Sequence, residues 1–415
     1  MATRHEMISN LRALGIELHP DTKMSEERLK KKLHRALDCA QLLSKRLPSS
    51  TLDPANLKSW KGPSQKAFVA GNAIEGHPEM NAMHSASQLS PDEDDHFSEM
   101  RQALYSLAQQ KDQGLKATLI QDEDEISGMC IKFVDVLHLD DKTPVMILLY
   151  DHTVPGVLPP MEQLQFCARE LCTPHIHVVA SQGSQKLLQR LLLLNSRRLP
   201  ASYQPPRQPY ERNFKLSFVL PTGPLSMVDL GTLNEEKGCD VCGEKATQRC
   251  SACESVMYCG KACQTHGWRS HKTQCKALSL GTWSTMKFQS LADTLPMFNG
   301  IPVEIFNMNR YTRSDEMHGE EGWASTTRDV GPNIHGTNPF VIKIQTNGDT
   351  IRVYDRRRSL DVYLMKSWNL ENFLILHAAA GTGFRGLKCY RWAKRVSDWE
   401  LSICLDRKLP EDPRW

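Results

Sequence analysis

Between residues 239 and 275 the sequence reads CDVCGEKATQRCSACESVMYCGKACQTHGWRSHKTQC, so seven of the thirteen cysteines of a 415-residue chain fall in one short stretch. They are Cys239, Cys242, Cys250, Cys253, Cys259, Cys263 and Cys275, with His271 four residues before the last. Thiols this dense are either disulfides or metal ligands, and the redox compartment decides between them. The chain starts MATRHEMISNLRALGIEL, charged and without the apolar core of a signal peptide, and it has no run of about 18 apolar residues. An intracellular chain is therefore expected, in nucleus or cytoplasm, neither secreted nor membrane-spanning. In that setting paired CxxC thiols are ligands. Cys39, Cys130, Cys167, Cys172, Cys389 and Cys404 are scattered among apolar residues without pairing rhythm, as small buried hydrophobes are.

Zinc takes four tetrahedral nitrogen or sulfur ligands, and ligands two or three residues apart reach one ion from a single turn. Eight donors therefore make two sites. Cys239/Cys242 and Cys250/Cys253 form tight knuckles, whereas Cys259/Cys263 and His271/Cys275 are i, i+4 pairs that share one face of a helical turn. His266, the one local rival to His271, breaks that pairing and is expected to be a solvated imidazole.

The ligand spacing resembles a MYND-type zinc finger at every position, including Tyr258 before the fifth cysteine and Trp268 after the sixth. The resemblance implies what spacing does not show, an interleaved cross-brace. Site one would take Cys239, Cys242, Cys259 and Cys263; site two would take Cys250, Cys253, His271 and Cys275. It also implies a groove for proline-rich peptide segments built from Ser251, Gln264 and Trp268. Gln264 and Trp268 are i and i+4 and share a helix face. An exposed indole gives a flat apolar platform for a proline ring, and Ser251 and Gln264 can hydrogen-bond an extended backbone. The competing role for Trp268 is a plug between the zinc sites. Outside the finger, TKMSEERLKKKLHRALDCAQ, YDRRRS and LKCYRWAKRVSDWELSICLDR resemble a group of uncharacterised fungal MYND-finger proteins, which implies the architecture but no activity.

No catalytic residue is assigned. SET-domain methyltransferases with MYND fingers carry an Asn-His-Ser-Cys signature that this chain lacks, and GPNIHG at 331–336 does not supply its order. GTGFRG at 381–386 satisfies GxGxxG, but a helix-like segment precedes it and a strand-like one follows, the reverse of a dinucleotide fingerprint. A glycine-rich turn is the expectation. His175 and His177 lack metal spacing. Charge weighs against another class: the chain carries a formal +3, and the finger has five basic and three acidic residues. Seven thiolates and two dications contribute −3 together, so the finger's +2 becomes −1, without the basic face of a nucleic-acid reader. The clusters Arg352, Arg356–Arg358 and Arg391, Lys394, Arg395 around Trp392 are expected to pair with Asp355, Asp361 or Asp398.

The elements that must carry the finger read as an α+β protein. Residues 1–47 form a helical segment, with Ser25 capping a helix whose buried stripe is Leu29, Leu33, Ala36, Leu37, Ala40 and Leu43. Residues 48–116 are a linker with one helix, opened by Ser90-Pro91-Asp92-Glu93. Strand-like MCIKFVDVLHL, VMILLYDH and KLSFVLPTG and helical GSQKLLQRLLLLNSRRL mark an α+β region over 117–235. The finger at 239–275 is followed by a second α+β region, 279–415, where Trp399, Leu401, Ile403 and Leu405 alternate as a half-buried strand does. The expected function is a zinc-binding adaptor or regulatory protein, not an enzyme, that binds a protein partner through a proline-rich peptide. A nucleic-acid-associated transcriptional regulator is the second reading, and an enzyme with its pocket in 279–415 the third.

Overall fold

The structure is a computed structural model and describes residues 3–69, 96–153, 159–171, 177–235, 238–290 and 330–413. These fall into two compact units, one drawn from 3–14 and 29–225 and the other from 15–28 and 226–413. The expected capping segment Ser90–Glu93 lies outside the described residues, and the helix after it runs His96–Asp112. Among the described residues no helix is long and apolar enough to cross a membrane.

The first unit is built on a mixed sheet. Its strands are β1 (Lys58–Ser59), β2 (Ala117–Gln121), β3 (Gly128–Asp140), β4 (Thr143–Thr153), β5 (His177–Val179) and β6 (Lys215–Val219). Their order is β5-β2-β3-β4-β6, with β1 on β3 and only β5 parallel to its neighbour. β4 is buried from Thr143 to Tyr150, which explains why VMILLYDH is apolar without alternation. Helices His96–Asp112 and Gln182–Ser196 pack on each other and on the sheet. The expected stripe is buried in helix Glu26–Ala40 from Leu29 to Ala40, each leucine contributing on the order of 1.5–3 kcal/mol, whereas Leu43 opens a separate short helix, Leu43–Arg46; Ser25 accepts from the Arg28 N–H. Two polar locks tie that helix region to Gln182–Ser196 and the residues just after it: a buried amide pair of Gln41 with Asn195, and an ion pair in which Arg198 Nη2 donates to both Asp38 oxygens at 2.8 and 2.9 Å.

The second unit holds the finger, with strands β7 (Gln248–Arg249) and β8 (Met257–Tyr258), and a six-stranded antiparallel sheet. The sheet strands are β9 (Trp283–Lys287), β10 (Phe340–Asn347), β11 (Thr350–Asp355), β12 (Asp361–Met365), β13 (Lys388–Ser397) and β14 (Glu400–Cys404), in the order β12-β11-β10-β13-β14-β9. One face carries Ile342, Ile344, Ile351, Val353, Leu401 and Ile403 against Phe373, Leu376 and Ala380 of helix Leu370–Gly381. Trp399 and Leu405 pack on the same cluster, so the alternating apolar residues share one face, while Cys404 on the other face is buried as well.

The arginine clusters are not an exposed patch. Arg352, Arg356, Arg391 and Arg395 are each under 9% exposed. Arg352 and Arg358 pair with Asp361, Arg395 with Asp398, and Arg356 grips Glu17 at 2.6 and 2.9 Å. Asp355 is occupied otherwise, accepting from Ser359, the Leu360 N–H and His335.

GTGFRG is the turn between helix Leu370–Gly381 and β13. A Cβ at Gly383 would lie 2.1 Å from the Lys388 carbonyl oxygen, whereas one at Gly381 would meet nothing within 4 Å. Gly383→Ala should therefore lower the thermal transition of the second unit by the equivalent of about 1–3 kcal/mol, with Gly381→Ala near neutral. Equal effects in differential scanning calorimetry would show that the turn is not the tight one described.

Candidate metal centre

Each knuckle closes the same way. The Gly243 N–H donates to the Cys239 carbonyl at 2.8 Å and the Glu254 N–H to the Cys250 carbonyl at 2.9 Å. Both closing residues are left-handed, with φ +70° and +57°. Glycine takes that conformation freely, and Glu254 takes it under the constraint of the loop. β7 and β8 hold the second knuckle, while helix Lys261–Ser279 carries Cys263, Gly267, His271 and Cys275 at steps of four along one stripe. Gly267 sits where a Cβ would meet Tyr258 and Val241 at 3.0 Å, so its lack of a side chain admits the tyrosine ring.

The donors converge in two groups: Cys239, Cys242, Cys259 and Cys263, then Cys250, Cys253, His271 and Cys275. Within each, the ligand atoms lie within 4.8 Å of one another. In the first, Cys242, Cys259 and Cys263 form a triangle of sulfurs with edges of 3.5, 3.5 and 3.7 Å. In the second, Cys250 and Cys275 sulfurs are 3.6 Å apart, and Cys253 Sγ is 3.3 Å from His271 Nε2. A tetrahedral ion with Zn–S near 2.3 Å places its sulfurs about 3.8 Å apart, so both groups fit zinc. The arrangement is the cross-brace, and the two clusters account for two zinc ions.

The thiols need the cation. Burial and the neighbouring thiols of Cys250 and Cys253 push Cys275 up to about 12, and burial with Cys259, Cys242 and Cys239 raises Cys263. Burial also raises Cys239, but backbone N–H groups of Cys242, Cys259 and Val241 outweigh it and bring that thiol to about 7. Burial lowers His271, which keeps the imidazole neutral and fit to bind a metal through Nε2. Its buried Nδ1 has no hydrogen-bond partner among the described residues.

Tyr258, 1% exposed, fills the space beside the first cluster with Val241. Trp268 does not plug the sites. It is 42% exposed and packs edge-on against His271, centroids 6.0 Å apart. Gln264 and Ser251 are exposed as well. His266 belongs to neither cluster; half-buried rather than solvated, it contacts the Asp21 carbonyl at 3.3 Å.

Two supports of the finger escape sequence reasoning. The first is the segment 15–28, which runs along it. Lys23 N–H and Thr22 Oγ1 both donate to the Val241 carbonyl, at 2.8 and 3.2 Å. Arg28 bonds the Gly243 carbonyl and Glu244, and His19 meets Ser270 at 2.8 Å. Glu17 is bound by Arg356 of the sheet, and its N–H donates to Asn234. The second support is a shared core: Cys250, Cys253, Cys275 and Leu278 pack with Trp392 and Cys404. Neither support has a local sequence signature.

Comparison with known proteins agrees with this geometry. Residues 239–275 match the MYND finger model, and the chain thus carries a MYND-type zinc finger. A ubiquitin carboxyl-terminal hydrolase 19 of Arabidopsis thaliana is 56% identical over 39 residues, 9% of this chain and 6% of that protein. The SET domain and MYND-type zinc finger protein 6 of Schizosaccharomyces pombe is 41% identical over 56 residues, 13% and 12% of the two chains. A histone-lysine N-methyltransferase of Arabidopsis thaliana is 43% identical over 47 residues, 11% and 10%. The match thus spans at most about an eighth of each of these relatives. No solved structure matches. MYND fingers are in general protein–protein interaction modules.

Elemental analysis of reduced protein should find two zinc ions per chain. Acidification should release them, because protons compete for thiolates and the bound fraction falls as pH falls. The two sites should differ in what they support. Cys242→Ser should lose one ion and open the bond after Lys23 to trypsin. His271→Ala should lose the other and lower the thermal transition of the C-terminal sheet. Identical consequences of the two substitutions would contradict the separate attachments.

Proposed function

We propose that the chain is an adaptor or regulatory protein whose finger binds a short proline- and leucine-containing segment of another protein. The observation that carries this reading is the exposed indole of Trp268, held by a zinc ligand. His271 holds the ring in a T-shaped contact, and the exposed part of the indole is left to pack a proline ring. Ser251 beside the second knuckle and Gln264 one helical turn before Trp268 supply polar groups for the peptide backbone. The names of the relatives include enzymes, but the likeness covers at most 13% of this chain, and we place no chemistry of that kind in it. The arginine burial weighs against the nucleic-acid reading, since ion-paired guanidinium groups offer phosphate little.

Titrating the zinc-loaded full chain with a labelled proline-rich peptide tests the proposal. Trp268→Ala should weaken binding at least tenfold, equivalent to about 1.4 kcal/mol, with both zinc ions retained. Unchanged affinity in that variant would sink the groove. Loss of metal would show the tryptophan to be structural instead.

A further inference from the structure

A cleft in the first unit, between the sheet and helix Met161–Glu170, holds chemistry that the finger does not use. It encloses about 530 Å3, and its lining includes Leu119, Gln121, Cys130, Gln163, Leu164 and Cys167. Cys130 lies on β3 between its partners Leu119 and Asp151, and is 2% exposed. Cys167 projects from the helix and is half-buried. Their sulfurs are 3.9 Å apart, and both thiols are free. Gln163 anchors the helix beside them, donating to Asp151 at 2.7 Å and accepting from Thr153 at 2.5 Å. The helix carrying Cys167 is therefore fixed against the strand next to Cys130. A disulfide needs S–S of about 2.05 Å, which leaves an approach of roughly 1.9 Å.

We propose that Cys130 and Cys167 form a dithiol modification site that a hydroperoxide oxidises to a disulfide within the cleft. Cys167 is the attacking thiol. It is half-buried where Cys130 is 2% exposed; the neighbouring Cys130 thiol holds Cys167 below the ordinary thiol range, whereas Cys167 and burial push Cys130 up. Only the thiolate is nucleophilic, which sets the order of events. Cys167 sulfur attacks one peroxide oxygen and the O–O bond breaks. This leaves a sulfenic acid on Cys167 and releases water, or an alcohol from an organic peroxide, which takes the thiol proton. Cys130 sulfur then attacks Cys167 sulfur, the S–O bond breaks, and the hydroxide leaves as water with the Cys130 proton. Two thiols are oxidised by two electrons and one peroxide is reduced. The bond would join helix Met161–Glu170 to β3 across the cleft and alter the space between them.

The test treats zinc-loaded full chain with about one equivalent of hydrogen peroxide, blocks remaining thiols by alkylation, and maps the digest by mass spectrometry. The expected result is a Cys130–Cys167 linked peptide, two thiols lost per chain and both zinc ions retained. In Cys130→Ser the sulfenic acid should persist on Cys167 and react with a 1,3-diketone probe. Cys167→Ser should leave Cys130 unoxidised. Recovery of both cysteines alkylated, loss of zinc before their oxidation, or linkage of Cys167 to Cys172 would overturn the site. A sulfenic acid on Cys130 in Cys167→Ser would overturn the assignment of the attacker. The mapping of the unsubstituted chain decides the matter even where a variant fails to fold.

Discussion

Four thiols gathered within a few ångströms repel one another once ionised, and that constraint organises the second unit. Each added thiolate raises the cost of the next, so proton loss and metal capture must occur together. The second cluster has a further consequence, because Cys250, Cys253 and Cys275 sit in one apolar group with Leu278, Trp392 and Cys404. The ligands of the second site thereby share a core with the adjoining sheet. Lys394 of β13 adds a contact, pairing with Glu254, the left-handed residue that ends the second knuckle. The finger is built into its unit rather than hung from it.

The electrostatics follow the same logic. The sheet spends its arginines internally: Arg352 is 2% exposed and lies between Asp361 and the rings of Tyr354 and Tyr363. Such pairs offset the desolvation of a buried cation rather than adding much net stability, and their directionality specifies how neighbouring elements meet. Arg356 shows the point, since its bidentate grip on Glu17 ties the 15–28 segment to the sheet. With a near-neutral finger, recognition on the proposed reading rests on shape and backbone hydrogen bonds. Peptide affinity would then depend weakly on salt.

The two units treat sulfur differently. In the finger, seven cysteines are committed to metal, and backbone N–H groups stabilise the charged form of Cys239. In the first unit the Cys130 and Cys167 thiols meet without a metal, a histidine or a third sulfur among the described residues. Sulfur in the first setting contributes to folding; in the second it keeps its reactivity. Cys389 and Cys404 represent a third setting, packed within cores as small apolar side chains, with burial raising both thiols to about 11.

Much of the chemistry was legible in the chain itself because it is local. Ligand pairs two to four residues apart meet by backbone geometry alone, and the knuckles, the i, i+4 pairs and the two-ion count follow from spacing. The stripe in helix 26–40 and the alternation of Trp399, Leu401, Ile403 and Leu405 were readable for the same reason, since periodicity reflects which side faces a core. Long-range partners were not readable. Nothing in LHPDTK announces that it will run along a knuckle more than two hundred residues away. The burial of arginines that a sequence shows only as a cluster depends on the sheet order β12-β11-β10-β13-β14-β9, which non-local pairing decides. The exposure of Trp268 also needed the tertiary structure, because the space beside the first cluster is filled by Tyr258 and Val241. Cys130 and Cys167, 37 residues apart, carry no spacing signature; only the packing of a helix on β3 brings their sulfurs together.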